Sequence, residues 1–423
     1  ENTLRQSGET YAVRQGAAVI MEPDGAVRAM VGGRDYGESQ FNRATHALRQ
    51  PGSSFKGYVY LTALENGYKP TSTVSDGYVS CGRWSPKNYS GGFRGRMTLA
   101  DALAKSINTI AVKLSLDVGR DKLLANMNKI GITRLKKTCS IALGDSGLTP
   151  LEHTSGYAVF ASGGLEVHPY AIEEIHTLQG QQLYSHETDE PARKQIFDRK
   201  VVESLNTMLQ GVVLNGTGKA AQLDFTYSAG KTGTSSNYRD AWFIGFTGQY
   251  VVGVWLGNDD FTPMARVTGG SFPAQTWHNF LVMAHDTDNI PPIPGIAPHP
   301  VQVAEQERLA AIQKAAATNT DAGTEAIIAP ATAESVKDMS SMTRQILESL
   351  STRLKEAPAL QPSDTTPQNR AEAPVAAPTQ TANDIQPSAA SAPSGASPAE
   401  ASPAQAAETP VAAGSQTGAT PPP

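Results

Sequence analysis

Past Phe280 the 423-residue sequence contains no aromatic residue; all 11 Phe, 13 Tyr and 4 Trp lie at or before that position. A ringless stretch of that length has too little apolar bulk for a core of its own. The globular part is therefore expected to end near residue 280, followed by a long tail. Cysteine is almost absent: Cys81 and Cys139 are the only two, which excludes a disulfide-rich scaffold or a multi-cysteine metal site. The pair suits one bridge in an oxidising compartment or two buried thiols, and the sequence leaves both open. No uninterrupted apolar run approaches the roughly 20 residues of a membrane helix, and no charged-then-apolar signal segment opens the chain. A basic surplus is also missing. The formal net charge is −5 with signs interspersed, so no nucleic-acid partner is expected. The chain starts at Glu1, in mid-pattern, which leads us to expect a fragment or processed form whose anchor would lie upstream.

What is present reads as strands at both ends with helices between. Residues 16–33 predict a hairpin turning at Glu22-Pro-Asp-Gly25. Arg49-Gln-Pro-Gly52 breaks regular structure, and a helix is expected from about Ser53 to Asn66-Gly67. Residues 71–95, rich in Gly, Ser and Pro, predict a loop, followed by helical runs near 98–105, 109–118 and 120–130. Thr149-Pro150 predicts a helix start, with the Thr hydroxyl at the N-cap and Pro at the first helical position. A further helix is expected over 199–214, strands over 225–235, 241–247 and 250–256, and a closing helix over 274–284. The fold class is α+β: an antiparallel sheet assembled from distant segments, flanked by helices, with a helical subdomain inserted. The expected divisions are a lead-in (1–15), one domain (16–289), a linker with amphipathic helices (290–357) and a disordered Ala/Pro/Ser/Thr-rich tail (358–423). Met339, Met342, Ile346, Leu350 and Leu354 form one apolar stripe in the linker, read as a marginal solvent-exposed helix or a docking helix.

Three short patterns carry chemistry. In Ser53-Ser-Phe-Lys56 the hydroxyl and amine stand about one helical turn apart and can face one cleft. A neutral lysine can activate a serine nucleophile, provided burial or a second cation lowers its pKa. Alone the pattern is bland, since Ser228-Ala-Gly-Lys231 repeats the spacing. Ser106-Ile-Asn108, between two helical runs, offers a hydroxyl to relay a proton and a carboxamide to hold a substrate amide. Ser106 is equally an ordinary N-cap, and Ser204-Leu-Asn206 and Ser235-Ser-Asn237 match as well. Lys231-Thr232-Gly233-Thr234 on a sheet-edge strand suits an anionic carboxylate, with Gly233 admitting a ligand backbone. The bland reading is a solvated edge strand with a protective lysine. The order of the three, each in the context its chemistry needs, decides between these readings.

At this point the sequence resembles the transpeptidase domain of class A, bifunctional penicillin-binding proteins, over about residues 12–285. Arg49–Lys56, Trp84-Ser-Pro-Lys-Asn-Tyr89, Ala142–Glu152, Tyr157–Gly164, Gly211–Gly218, Asp240–Gly245 and Val254–Gly257 also match the family's segments. The resemblance implies a β-lactamase/transpeptidase-like fold in an extracytoplasmic, periplasmic, membrane-anchored enzyme of the cell wall. It implies that Ser53 attacks the carbonyl between the last two D-alanines of a peptidoglycan stem peptide. Lys56 would take the serine proton and Ser106 relay it to the leaving amine. The Ser53 and Thr234 N–H groups would form an oxyanion hole. Lys231, Thr232 and Thr234 would bind the terminal carboxylate, and Asn108 the peptide backbone. An amine of a neighbouring stem would accept the acyl group, and β-lactam antibiotics would acylate the same serine. No cofactor and no metal is required. The family's membrane helix and glycosyltransferase domain are not read in this chain, so glycan polymerisation is not assigned.

Three alternatives stand beside this reading. A D,D-carboxypeptidase would pass the acyl group to water. A β-lactamase would need a carboxylate-activated water, and Glu203-Ser-Leu-Asn206 reads instead as a solvated helix glutamate. A non-catalytic scaffold would act through its tail, with cell-wall synthesis proteins as partners. The eight histidines show no ligand spacing, and His153 and His168 are assigned nothing.

Overall fold

A computed structural model describes residues 7–285 and 290–319. The chain divides into two compact units, Glu1–Ala326 and Ile327–Pro423, and the described residues all belong to the first. The Met339–Leu354 stripe and the 358–423 tail lie outside them.

Strands β1 (Gln15–Met21) and β2 (Val27–Val31) form the expected hairpin, closed at Gly25, whose φ of 108° a side chain would strain. Helix α1 (Arg43–His46) leads to a 3₁₀ turn at Gly52–Phe55 and helix α2 (Lys56–Glu65). Strands β3 (Thr73–Asp76) and β4 (Gly95–Thr98) pair with each other, and helices α3 (Leu99–Ala104), α4 (Asn108–Asp117) and α5 (Arg120–Lys129) follow. Helix α6 (Pro150–Ala161) opens with a capping box, in which Thr149 and Glu152 satisfy each other's backbone N–H groups. Next come strands β5 (Glu174–His176) and β6 (Gln182–Ser185), and helices α7 (His186–Asp189) and α8 (Arg199–Leu214). Strands β7 (Ala229–Thr234), β8 (Asp240–Phe246) and β9 (Val251–Gly257) lead to helices α9 (Phe272–Ala284) and α10 (Pro300–Asn319).

The main sheet has the order β2-β1-β9-β8-β7, antiparallel throughout, so the first and last strands among the described residues pair in the middle. Strands β8 and β9 are buried along their whole length because both faces are covered. The two-residue period assigns those faces. Trp242, Ile244 and Phe246 pack with Val19 and Met21 into the core shared with α2 and α6. Phe243, Val252 and Val254 pack with Trp277 and Leu281 of α9.

The structure differs from expectation in three places and settles one question the sequence left open. Residues 71–95 are not all loop: β3 and β4 sit at either end. Their sequences, TVSD and GRMT, are too short and polar to alternate visibly. The exposed β5–β6 hairpin is equally polar and carried no signal. Strand β7 begins at Ala229, not 225. Cys81 and Cys139 are disulfide-bonded, their Cα atoms 5.6 Å apart, which closes the question their sequence left open. Among the described residues no helix is long and apolar enough to cross a membrane.

Candidate active site

The Pro51-Gly52 turn seats the start of the Ser53 helix directly against β7. Gly52 has φ of 56°, and a Cβ there would lie 2.5 Å from the Thr234 carbonyl oxygen. On the strand, a Cβ at Gly233 would lie 2.2 Å from the Pro51 carbonyl oxygen and 2.7 Å from Ser54 Oγ. This corrects the expected role of Gly233. The space a side chain would need is filled by the Pro51–Ser54 turn, not held open for a ligand backbone. Each glycine is needed so that two backbones can touch. Ser53 opens the turn partly exposed, whereas Lys56, whose N–H donates to the Ser53 carbonyl, is fully buried.

Ser106 lies between α3 and α4 with φ of 56°, a left-handed conformation that costs a serine about 1–3 kcal/mol. The surrounding turn imposes it: Ser106 N–H donates to Leu103 and Ile107 N–H to Ala102. Ser106 is not the N-cap of α4. The N-cap position is Ile107, and the first N–H groups are met from outside the helix by Asn88, whose Oδ1 accepts those of Asn108 (3.0 Å) and Thr109 (3.3 Å). Asn88 Nδ2 donates in turn to both oxygens of Asp76, at 2.9 and 3.1 Å. Burial pushes the Asp76 carboxyl up, but hydrogen bonds from Thr109, Asn88 and the Arg94 N–H outweigh it and hold the pKa below its ordinary value.

The strained loop carries the Ser106 hydroxyl between two ammonium groups. Lys56 Nζ lies 3.2 Å from Ser106 Oγ, and Lys231 Nζ 2.9 Å from the same atom. Lys56 also donates to the Ser106 carbonyl and to Asn108 Oδ1, both at 2.6 Å. Asn108 Nδ2 is anchored on the Lys87 carbonyl at 2.8 Å. Both lysines are wholly inaccessible to solvent, which overturns the solvated-edge reading of Lys231. Burial, and then the neighbouring charge of Lys231, lower the Lys56 pKa well below 10.5. Burial alone lowers Lys231 to about 7.

Strand β7 is the sheet edge, as expected. Ser235 N–H bonds the Asp240 carbonyl, so by antiparallel alternation the N–H and C=O of Thr234 point away from β8. The proximity of Gly52 to the Thr234 oxygen agrees with that direction. Thr232 Oγ1 lies 2.6 Å from Thr217 Oγ1 and 3.4 Å from Lys231 Nζ, while Thr234 Oγ1 accepts from Gly269 N–H at 3.1 Å. Tyr89 and Tyr238, both solvent-accessible, meet hydroxyl to hydroxyl at 3.0 Å.

Ser53, Lys56, Ser106, Asn108, Lys231, Thr232, Gly233 and Thr234 are thus gathered on three adjoining elements. The competing patterns are accounted for otherwise. Ser204 bonds within its own helix, Asn206 holds the Phe160 and Pro294 carbonyls, and Ser228 donates to Ala221. Sequence reasoning assigned no role to Asp76, Thr217 or His153. Asn88 appeared only within the Trp84–Tyr89 segment. Their roles arise from partners 12 to 99 residues away, which no local pattern encodes. Among the described residues no group of three His, Cys, Asp or Glu side chains could hold a metal ion.

Comparison with known proteins shows the family. Residues 16–270 match the family model described as the penicillin binding protein transpeptidase domain, and the chain belongs to that family. It is 41% identical over 253 residues to penicillin-binding protein 1A of Aquifex aeolicus, covering 58% of this chain and 34% of that protein. With penicillin-binding protein 1A of Rickettsia conorii it shares 34% over 351 residues, 75% of this chain and 43% of the relative. The chain therefore spans less than half the length of these relatives. Among solved structures, penicillin-binding protein 1A of Haemophilus influenzae superposes with a TM-score of 0.59 at 26% identity, covering 67% of this chain and 49% of that one. The PonA1 protein of Mycobacterium tuberculosis in complex with penicillin V shares the fold, with a TM-score of 0.60 at 23% identity, over 71% and 88% of the two chains. The fold is that of the penicillin-binding transpeptidases, as its sheet order and flanking helices indicate.

Proposed function

We propose that the chain is a serine D,D-transpeptidase that cross-links peptidoglycan stem peptides through an acyl-enzyme on Ser53. The observation that carries this reading is the convergence of Lys231 and of Lys56, itself one turn along the chain from Ser53, on one Ser106 hydroxyl. Lys56 has three acceptors around it, matching an ammonium. When its depressed pKa leaves the amine neutral, one N–H is replaced by a lone pair that can take the Ser53 proton.

The serine oxygen then bonds to the carbonyl carbon between the last two D-alanines. The oxyanion is met by the N–H groups of Ser53 and Thr234, an arrangement worth roughly 10²–10³ in rate per donor. Breaking the C–N bond requires a proton on the leaving amine, which Lys56 supplies through Ser106. Lys231, Thr232 and Thr234 bind the terminal carboxylate, and Asn108 holds the peptide backbone. An amine of a neighbouring stem attacks the ester, giving its proton back along the same path as Ser53 is released. β-Lactam antibiotics acylate Ser53 by the same first step. The Cys81–Cys139 disulfide supports an oxidising, extracytoplasmic location, which we assign to the periplasmic side of a membrane.

The test is incubation with a stem pentapeptide donor and an amine acceptor. Release of D-alanine in step with a cross-linked product is expected. Release of D-alanine into water alone would assign a carboxypeptidase instead.

A further inference from the structure

His153 lies on α6, buried completely among Tyr58, Tyr157 and Trp242, whose rings stand 5.7, 5.4 and 5.6 Å from its own. Its Nε2 is 2.8 Å from Ser54 Oγ, and its Nδ1 is 2.9 Å from the Tyr58 hydroxyl. Proton counting fixes the direction of each bond. The Pro51 carbonyl can only accept, so the Ser54 O–H donates to it, at 2.7 Å. Ser54 then has no proton left for the imidazole, and Nε2–H must donate to Ser54. In a neutral ring Nδ1 is then bare and accepts the Tyr58 O–H, which also lies 3.3 Å from the His153 carbonyl oxygen.

The neighbouring backbone is pinned on every side. Trp242 Nε1 donates to the Gln50 carbonyl at 2.8 Å, and Tyr157 to the Ser54 carbonyl at 2.6 Å. Gly52 N–H donates to the Gly144 carbonyl at 3.3 Å. Trp242 and Tyr157 each donate to a backbone carbonyl of this segment, whereas His153 bonds the Ser54 side chain and links it to Tyr58. We propose that His153, as its Nε2–H tautomer, is a positioning residue that locks Ser54 and thereby the direction in which Ser53 is presented. This rests on Ser53 being the nucleophile. Burial lowers the His153 pKa to about 3, which agrees with a permanently neutral ring. A catalytic hydroxyl displaced by about 1 Å can lose on the order of 10² in rate, so a bond one residue from Ser53 has leverage.

Two readouts test it. Nitrogen NMR of the histidine-labelled full chain, with the signal assigned by its loss in His153→Gln, is expected to show a protonated Nε2 and a bare Nδ1 at neutral pH. A protonated Nδ1, or an imidazolium, overturns the proposal. In stopped-flow acylation by a fluorescent penicillin, His153→Phe is expected to slow the acylation step about 10- to 100-fold, with reversible affinity held within about twofold. His153→Gln, which keeps an N–H near the Nε2 position, should recover most of that rate. Ser54→Ala, which removes the acceptor and leaves the ring in place, should also be slow, and it carries the kinetic test should His153→Phe not fold. Wild-type speed in Ser54→Ala, or no recovery in His153→Gln, overturns the proposal. A wild-type protein that is not acylated at all contradicts the proposed function instead, and the NMR result still decides the tautomer.

Discussion

Lys56 and Lys231 come from a helix and a strand 175 positions apart in sequence, yet donate to the same oxygen, Ser106 Oγ, at 3.2 and 2.9 Å. Two buried amines around one hydroxyl cannot both remain charged cheaply. The fold therefore carries destabilisation at its centre, and under the proposed function that destabilisation is what frees Lys56 to act as the base.

The linkage has a definite sign. An unfolded chain binds the Lys231 proton below about 10.5, the folded chain only below about 7. Between these values the unfolded state holds more protons, so stability falls as pH drops through the window and levels off beneath it. Lys56, also depressed, acts in the same direction. Lys231→Met should therefore be more stable than wild type near neutral pH, by up to about 4 kcal/mol before repacking losses. The difference should shrink towards the upper end of the window. Thermal melts of both proteins across this range check it.

Two glycine substitutions should separate in sign. Gly233→Ala forces a Cβ to within 2.2 Å of the Pro51 carbonyl oxygen, a backbone atom that cannot swing aside. We expect lower stability and at least about a tenfold loss of acylation, because the turn that carries Ser53 must move. Gly211→Ala, inside α8 with nothing within 4 Å, should stabilise by up to about 1 kcal/mol and leave acylation unchanged. Denaturant melts and penicillin labelling report both.

Asn88→Ala removes the acceptor of two N–H groups at the start of α4 and the donor to Asp76. A loss of about 1–3 kcal/mol is expected, as for a lost cap with a buried group left unpaired. Acylation should slow as well, since Asn108 and through it Lys56 lose their reference point. Asn88→Asp keeps the acceptor and replaces the donor by a charge facing Asp76, so it should not rescue either measurement.

The Cys81–Cys139 bridge closes a loop of 58 positions, for which chain entropy gives roughly 4 kcal/mol. A reductant should lower the melting temperature, and Cys81→Ser with Cys139→Ser should match the reduced protein. Residual acylation below the new melting temperature is expected, because neither cysteine touches the lysine pair.

How much of this was legible beforehand follows from where the information lies. The helix from Pro150 was readable because Thr149 and Pro150 announce a start in adjacent residues, and Glu152 completes the cap in the structure. Strands β8 and β9 were readable as apolar runs around a turn. Lys231 was placed correctly on an edge strand, but its complete burial was not readable, because it depends on the Ser53 turn closing over that edge. The role of Gly233 was misread for the same reason: the backbone that approaches it is Pro51, not a ligand. His153 and Asn88 act on partners far away in sequence. A lone histidine inside an apolar helix looks the same whether it fills space or orients a serine.

The measurement that bears most directly on the central claim is mass spectrometry of the penicillin-treated protein, digested and mapped. A single long-lived adduct is expected on the peptide bearing Ser53, absent from Ser53→Ala, whose fold should remain intact. An adduct on any other residue, or covalent labelling that survives in Ser53→Ala, would contradict the claim.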